Sequence, residues 1–407
     1  MNTSLFIAKR LYNAKENNNN YTRPIIRIAI SAIALSVAIM ILSVFVLSGF
    51  KSDISNKVFG FGGHINISKF SFNQSYENDP INYNTEMSSQ IESMDFVNYI
   101  QAYATKAGII KNNNEILGVV LKGVDQNYDW NFFYENLISG DVPTFNDSIA
   151  RNSILISQNI SKKMKLNVGD DMLIYFMEQP TRVRKFFVSG IYKTGLSEFD
   201  DITAIGDLKH IQKLNNWDIN QIGGYEISVS KFKNIEKYTS EIDELIDYDL
   251  KALSIKQKYP QIFDWLRLQD FNVLIILILM LIVGGVNMIT SLLIIILEKS
   301  KLIGLLKAIG ATNWNIRHIF IYNSLQIILS GLFWGNLIAI SLSLLQSRFH
   351  FIKLDEEIYF MDFVPIKIEL FSLLMINFGT IVICYLILVI PSVVIAKISP
   401  AKSIKFE

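Results

Sequence analysis

Four stretches of the chain, 28–50, 271–297, 319–347 and 370–396, contain no Asp, Glu, Lys, Arg or His. Each exceeds the roughly 20 residues a helix needs to cross a hydrocarbon core about 30 Å thick, so the chain is expected to span a membrane four times. Composition agrees: half of the 407 residues are hydrophobic and 18% are charged, fewer charges than a soluble protein of this length usually carries. A signal peptide is the competing reading of the first stretch. Its apolar run is too long for an h-region and no small-x-small cleavage site follows, so it is read as a retained span.

Short flanking segments set the orientation. Lys9, Arg10, Lys15, Arg23 and Arg27 precede the first span against Glu16 alone; Lys299, Lys301, Lys307 and Arg317 fill the loop after the second; Lys397, Lys402 and Lys405 follow the fourth. The loop between the third and fourth spans instead carries Asp355, Glu356, Glu357, Asp362 and Glu369 beside Arg348, Lys353 and Lys367. Basic short segments stay in the cytoplasm. The expected layout in the inner membrane is a cytoplasmic N-terminus at 1–27, an outer region at 51–270, a cytoplasmic loop at 298–318, a short outer loop at 348–369 and a cytoplasmic tail at 397–407. The asparagine run at 17–20 reads as a polar connector.

The outer region is long enough for one or two compact domains. Alternating runs at 64–68, 154–156, 172–176 and 186–191 predict strands, and 87–97, 157–166, 207–214 and 235–246 predict helices, giving an α+β domain between the first two spans. Gly169-Asp170-Asp171 predicts a turn from helix to strand. Helical spacing also continues beyond the membrane. Phe50, Ile54 and Val58 repeat at i, i+4, i+8, and Pro260 stands at a first helical position ahead of Ile262, Trp265, Leu266 and Leu268. Continuous helices over 28–59 and 261–297 would be about 48 and 55 Å long, more than the membrane core requires, and would form a stalk. The competing reading is that the extra turns merely cap the spans.

Net charge is +1, which gives no global basic field for nucleic acid. The single cysteine, Cys384, lies in an apolar run, so neither an intramolecular disulfide nor a cysteine-based zinc site is expected. No G-x-x-x-x-G-K-[ST] occurs, hence no P-loop; Gly60, Gly62 and Gly63 precede a strand rather than a helix and read as a turn. His64, His210, His318 and His350 lack metal-ligand spacing, and neither H-E-x-x-H nor G-x-S-x-G is present, so no catalytic residue and no metal are expected. Within the spans, Asn287, Asn323, Gln326, Asn336 and Asn377 either bond neighbouring helices or contact substrate. Gly331 and Gly335 form a GxxxG that permits close helix packing. No span holds an ionisable residue, which argues against a proton or ion relay.

The cytoplasmic loop reads EKSKLIGLLKAIGAT. Leu302, Leu305, Leu306 and Ile309 repeat at helical spacing, with lysines at Lys301 and Lys307, the pattern of a short amphipathic helix that lies on the membrane or fits a partner's groove. This run, the IRHIF that follows it, and the ending PSVVIAKISPAKSIKFE resemble the coupling and C-terminal segments of MacB/FtsX-type ABC transporter permeases. QKYPQIFDWL, the glycine pair of the second span and FFVSGIYKTGLSEFD resemble the lipoprotein-releasing (LolC/LolE-type) branch. The resemblance covers essentially the whole chain.

The resemblance implies a dimer with a second permease, identical or related, and two copies of a separate ABC ATPase that binds ATP and Mg; this chain itself would bind no cofactor. It implies a MacB-type periplasmic core fold for the outer domain, an interfacial helix at 4–12, and ATPase coupling through Lys301, Ile303, Gly304, Leu305, Lys307, Ile309 and Gly310. Many relatives have an acidic residue where this chain has Leu302, so a charge contact there is not carried over. The cargo would be a lipoprotein. In this branch a hairpin captures a periplasmic carrier, and here Pro180, Arg182, Arg184 and Lys185 would give the corresponding tip a basic face; a solvated turn with no partner is the alternative. An FtsX-like permease that signals to a periplasmic partner and a MacB-like efflux permease are the competing functions. A membrane-anchored enzyme lacks a catalytic constellation.

Overall fold

Inside lipid a backbone must satisfy its own hydrogen bonds, and helices do so within one segment. Among the described residues, four helices are long and apolar enough to cross a membrane. The computed structural model describes residues 22–71, 75–112, 115–145, 151–355, 359 and 361–392. The expected interfacial helix, the asparagine run, Glu356, Glu357 and the tail lie outside the described residues. The principal helices are α1 (Thr22–Gly62), α2 (Thr85–Glu92), α3 (Gln158–Met164), α4 (Leu208–Asn215), α5 (Ile235–Asp243), α6 (Pro260–Glu298), α7 (Ser300–Ala308), α8 (Asn313–Phe349) and α9 (Leu370–Ser392). Two compact units result, one of residues 1–51, 266–353 and 363–407, the other of 52–265 and 354–362.

Both long helices run on as their sequences predict. α1 has 41 residues and α6 has 39, with Pro260 at its first position, so each is about 60 Å long. Ile54 and Val58, which extended the apolar pattern past the first span, are fully buried.

In the membrane unit, Ile33, Val37, Ile41 and Phe45 of α1 pack with Met288, Leu292 and Ile296 of α6 and Ile327, Ile328 and Leu332 of α8. Lipid is as apolar as these side chains, so close packing and polar contacts must hold the bundle together. A Cβ on Gly331 would sit 2.6 Å from Ile33 Cγ2, and one on Gly335 2.8 Å from the Ala34 carbonyl oxygen. The GxxxG therefore brings α8 against α1. Gly335→Val is expected to cost about 1–3 kcal/mol by overpacking, read as a lower thermal midpoint in detergent; an unchanged midpoint would show that this contact tolerates a side chain. Asn336 and Asn377 exchange side-chain hydrogen bonds of 2.7 and 2.9 Å between α8 and α9, and each also donates to the carbonyl four residues earlier. These two amides join helices.

Among the described residues, ten strands form the larger sheet of the outer unit: β1 (Ile65–Lys69), β2 (Val97–Asn112), β3 (Glu115–Val124), β4 (Leu137–Gly140), β5 (Ser153–Ser157), β6 (Asp171–Phe176), β7 (Arg182–Tyr192), β8 (Thr203–Asp207), β9 (Gly224–Val229) and β10 (Leu250–Ser254). Their order is β10-β1-β9-β2-β3-β8-β5-β7-β4. β6 bonds to both β2 and β7, so β2, β3, β8, β5, β7 and β6 close into a ring. Every strand of the ring is thus bonded on both sides, while β10 and β4 remain the outer strands of the sheet. The pairs β3–β8 and β5–β7 are parallel and the other pairs around the ring antiparallel.

The helices expected at 157–166, 207–214 and 235–246 form as α3, α4 and α5, with Ser157 and Asp207 as side-chain N-caps of the first two. The helix expected over 87–97 differs: α2 stops at Glu92, and Val97 already opens the sixteen-residue β2. Pairing of Val97 with Val229 of β9 draws it into the sheet, and the strand carries Gln101, Ala102, Ala104, Lys106 and Gly108, which break the apolar alternation that would mark it.

A buried polar network closes the end of α1. Lys122 Nζ lies 2.8 Å from Glu226 Oε2 with both side chains buried, and it also donates to the Phe61 carbonyl. Gln101 Nε2 donates to the same carboxylate oxygen at 3.3 Å. Asn66 Nδ2 donates to the Gly62 carbonyl at 2.6 Å, and Lys258 Nζ donates to Asn66 Oδ1 at 2.5 Å. The last carbonyls of a helix lack intrahelical partners and carry partial negative charge; a lysine and an amide answer two of them here. Burial holds the Lys122 ammonium below the usual lysine pKa, and Glu226 opposes that shift.

Candidate functional site

The described residues contain no group of three or more His, Cys, Asp or Glu able to hold a metal. Burial pushes the His64 imidazole down to about 4; its ring packs on Phe59 at 4.1 Å and its Nδ1 accepts from the Val229 amide at 3.3 Å. These contacts make it a neutral core histidine. The functional candidates are therefore surfaces, one in each unit.

In the membrane unit the segment expected to couple forms the nine-residue α7. So short a helix is marginal alone. It is held by Ile303, fully buried among Ile316 and Phe320 of α8 and Ile295 and Ile296 of α6, with Leu306 packed alongside. The apolar stripe expected at Leu302, Leu305, Leu306 and Ile309 is thus divided. Leu302 and Leu306 are half-buried, while Leu305 and Ile309 remain 55% and 74% exposed. Lys301 is also exposed, Lys307 is half-buried and Gly304 is buried.

Gly310 stops α7. It adopts φ +93, its amide donates to the Lys307 carbonyl and the Ala311 amide to the Leu306 carbonyl. That pair of bonds around a left-handed glycine is a Schellman motif. Thr312 then caps α8, accepting from the Asn315 amide. Trp314, 67% exposed, follows directly. It was not among the sequence candidates, although an aromatic residue beside an amphipathic segment is a readable signal.

In the outer unit, β6 and β7 form the expected hairpin, with Pro180 in its connecting loop. The expected basic face is not formed. Arg182 Nε pairs with Glu178 Oε2 at 3.0 Å, and its Nη1 donates to the Lys213 and Leu214 carbonyls at the end of α4. Glu178 also receives the buried Lys106 at 2.8 Å. Arg182 therefore fastens the hairpin to the fold. Alternation puts Arg182 and Arg184 on the same side as the buried Phe186, while Val183, Lys185 and Phe187 face out opposite Tyr175, Leu173 and Asp171. Lys185 pairs with Asp171 at 2.7 Å. With Met177 exposed at the tip, the outward surface is apolar with one ion pair.

Residues 28–245, more than half the chain, match the model of the MacB-like periplasmic core domain, and 274–400 match the FtsX-like permease C-terminal model. The chain belongs to the MacB/FtsX permease family. The lipoprotein-releasing system transmembrane protein LolC of Buchnera aphidicola subsp. Schizaphis graminum is 24% identical to this permease, with 95% of each chain covered. LolE of Haemophilus influenzae, named for the same system, is 22% identical with 99% of each covered. Among solved structures, the periplasmic region of MacB from Actinobacillus actinomycetemcomitans gives a TM-score of 0.36 at 14% identity, over 50% of this permease and 95% of that chain.

Proposed function

We propose that this permease is a subunit of an ABC transporter that extracts lipoproteins from the inner membrane, using ATP hydrolysed with Mg by a separate ATPase. The observation that carries the reading is end-to-end similarity to permeases named for lipoprotein release, through both the outer domain and the membrane half. The ATPase would dock on the outward side of α7, where Leu305, Ile309 and Lys301 are exposed. A second permease would complete the pathway. α1 and α6 would carry motion to the outer domain, where a periplasmic carrier would meet the outward hairpin face near Pro180. Purification from its own membranes in mild detergent should bring down an ABC ATPase and lipidated protein. In proteoliposomes the complex should release lipoprotein only with MgATP. Hydrolysis without any release would favour an FtsX-like signalling role.

The proposed orientation has its own test. Cys384 is buried, so single cysteines introduced by Ser75→Cys, Ser230→Cys and Ser300→Cys can be compared with little background. The first two should react with a membrane-impermeant thiol reagent in intact spheroplasts and the third should not. Labelling at Ser300→Cys would invert the topology and remove the ATPase from α7.

A further inference from the structure

α8 ends at His350, which adopts the left-handed conformation and stacks its ring on Phe363 at 3.8 Å. The chain then folds into a short hairpin, with a bridge between Lys353 and Phe363 and a bond from the Val364 amide to the Ile352 carbonyl. The buried Gln346 amide holds both sides: it donates to the Ile352 and Val364 carbonyls at 3.1 Å each and accepts from the Ile352 amide at 2.9 Å. Further along, the Lys367 amide donates to the Phe45 carbonyl of α1 at 3.2 Å, and a Cβ on Gly49 would strike the Pro365 backbone. This base is pinned to two helices.

The pinned base nevertheless exposes large apolar side chains. Phe349 is 69% and Phe351 54% exposed, with Ile352, Ile368 and Leu370 also outward. They continue the apolar outer surface of α8 at Leu344 and Leu345 and of α9 at Phe371 and Leu374. Charge is divided along the segment. Arg348, Lys353 and Lys367 lie at the base, where the one acid, Glu369, accepts from Ser372 Oγ at 2.6 Å. Asp355 and Asp362 belong to the outer unit, and Asp362 pairs with Lys193 at 3.3 Å. Apolar and aromatic side chains among cations are the chemistry of a surface that sits at the boundary of headgroups and acyl chains.

We propose that residues 348–353 and 363–370 form an interfacial wedge seated in the outer leaflet, with Phe349, Phe351 and Ile352 in the acyl boundary and Arg348 and Lys353 at anionic phospholipid phosphates. The proposal rests on reading α8 and α9 as membrane spans. Such a wedge anchors the permease in the leaflet that holds its lipid-anchored cargo, so force applied to the cargo is opposed locally.

The test uses the full chain with Cys384→Ser, reconstituted in phosphatidylethanolamine–phosphatidylglycerol vesicles and spin-labelled at Phe351→Cys. Phe349→Cys provides a second wedge position, Leu345→Cys a span control and Ser230→Cys an aqueous control. At either wedge position, collisions with lipid-soluble oxygen should exceed those with an aqueous nickel chelate, a several-fold shift from the ratio at Ser230→Cys. Nickel-dominated relaxation at both wedge positions, with oxygen dominant at Leu345→Cys, would overturn the wedge and leave the span reading intact. Nickel dominance at Leu345→Cys as well would overturn both. Wedge labels shielded from both reagents would place a protein partner over this surface and also overturn the proposal.

Discussion

Leu305→Pro is expected to abolish cargo-stimulated ATP hydrolysis while the protein still inserts in the membrane. Leu305 lies inside α7, and proline there would remove a backbone donor and push its ring against the carbonyl of Lys301, costing about 3 kcal/mol. α7 has only nine residues and depends on the packing of Ile303 and Leu306, so a loss of that size is enough to unfold it. Insertion is decided by the apolar spans on either side, which the substitution does not touch. Hydrolysis should be measured in proteoliposomes containing the copurified ATPase, with and without lipoprotein. Lys301→Ala is the informative control, because an exposed ion pair at its site would be worth about 0–1 kcal/mol and the helix itself would survive. Full cargo stimulation in Leu305→Pro would take α7 out of the coupling path.

Glu226→Ala should destabilise the outer domain by about 3–5 kcal/mol, the usual effect of leaving a buried charge without its partner. The charge left behind is Lys122, enclosed with Tyr128 and Tyr103 rings at 5.3 and 5.8 Å. The double change Lys122→Met with Glu226→Leu should recover most of the loss, because a buried ion pair often contributes no more than a well-packed apolar pair. Denaturation in detergent, followed by tryptophan fluorescence, separates these outcomes. The single variant should also regain stability as pH rises. Burial depresses the Lys122 pKa, so the unfolded chain binds a proton that the folded one does not, and raising pH removes that advantage. Equal stability of the single and double variants would show that the pair is not coupled.

The long helices were legible because their signals are long and redundant. Uncharged stretches, Pro260 at a helix start and the spacing of Ile54 and Val58 each reported one property that a helix needs locally. The outer domain was legible where alternation or capping marks an element locally, as in the strands expected at 64–68, 154–156, 172–176 and 186–191 and at the N-caps Ser157 and Asp207. β2 was missed because its residues are chosen by neighbours distant in sequence. Lys106 reaches Glu178 at 2.8 Å and Gln101 reaches Glu226 at 3.3 Å, contacts that no local pattern can anticipate. The short helix at 300–308 was found, but the direction of its apolar stripe was not. A nine-residue helix has too few turns for spacing to tell which apolar residues face the protein and which face outward. The basic hairpin tip misled for a related reason: Arg182 reads as a free surface charge until α4 supplies carbonyls for it.

Because β6 is hydrogen-bonded on both sides, to β2 and to β7, the loop at 177–181 hangs from a paired strand and is tied to the fold through Glu178, which meets Lys106 and Arg182. Away from Glu178, its length and composition can drift through insertion, deletion or exchange between duplicated copies without opening the sheet. A pair of permeases descended from one ancestor could therefore specialise at this single loop, one copy lengthening it to hold a carrier and the other keeping it short, while their barrels stay interchangeable.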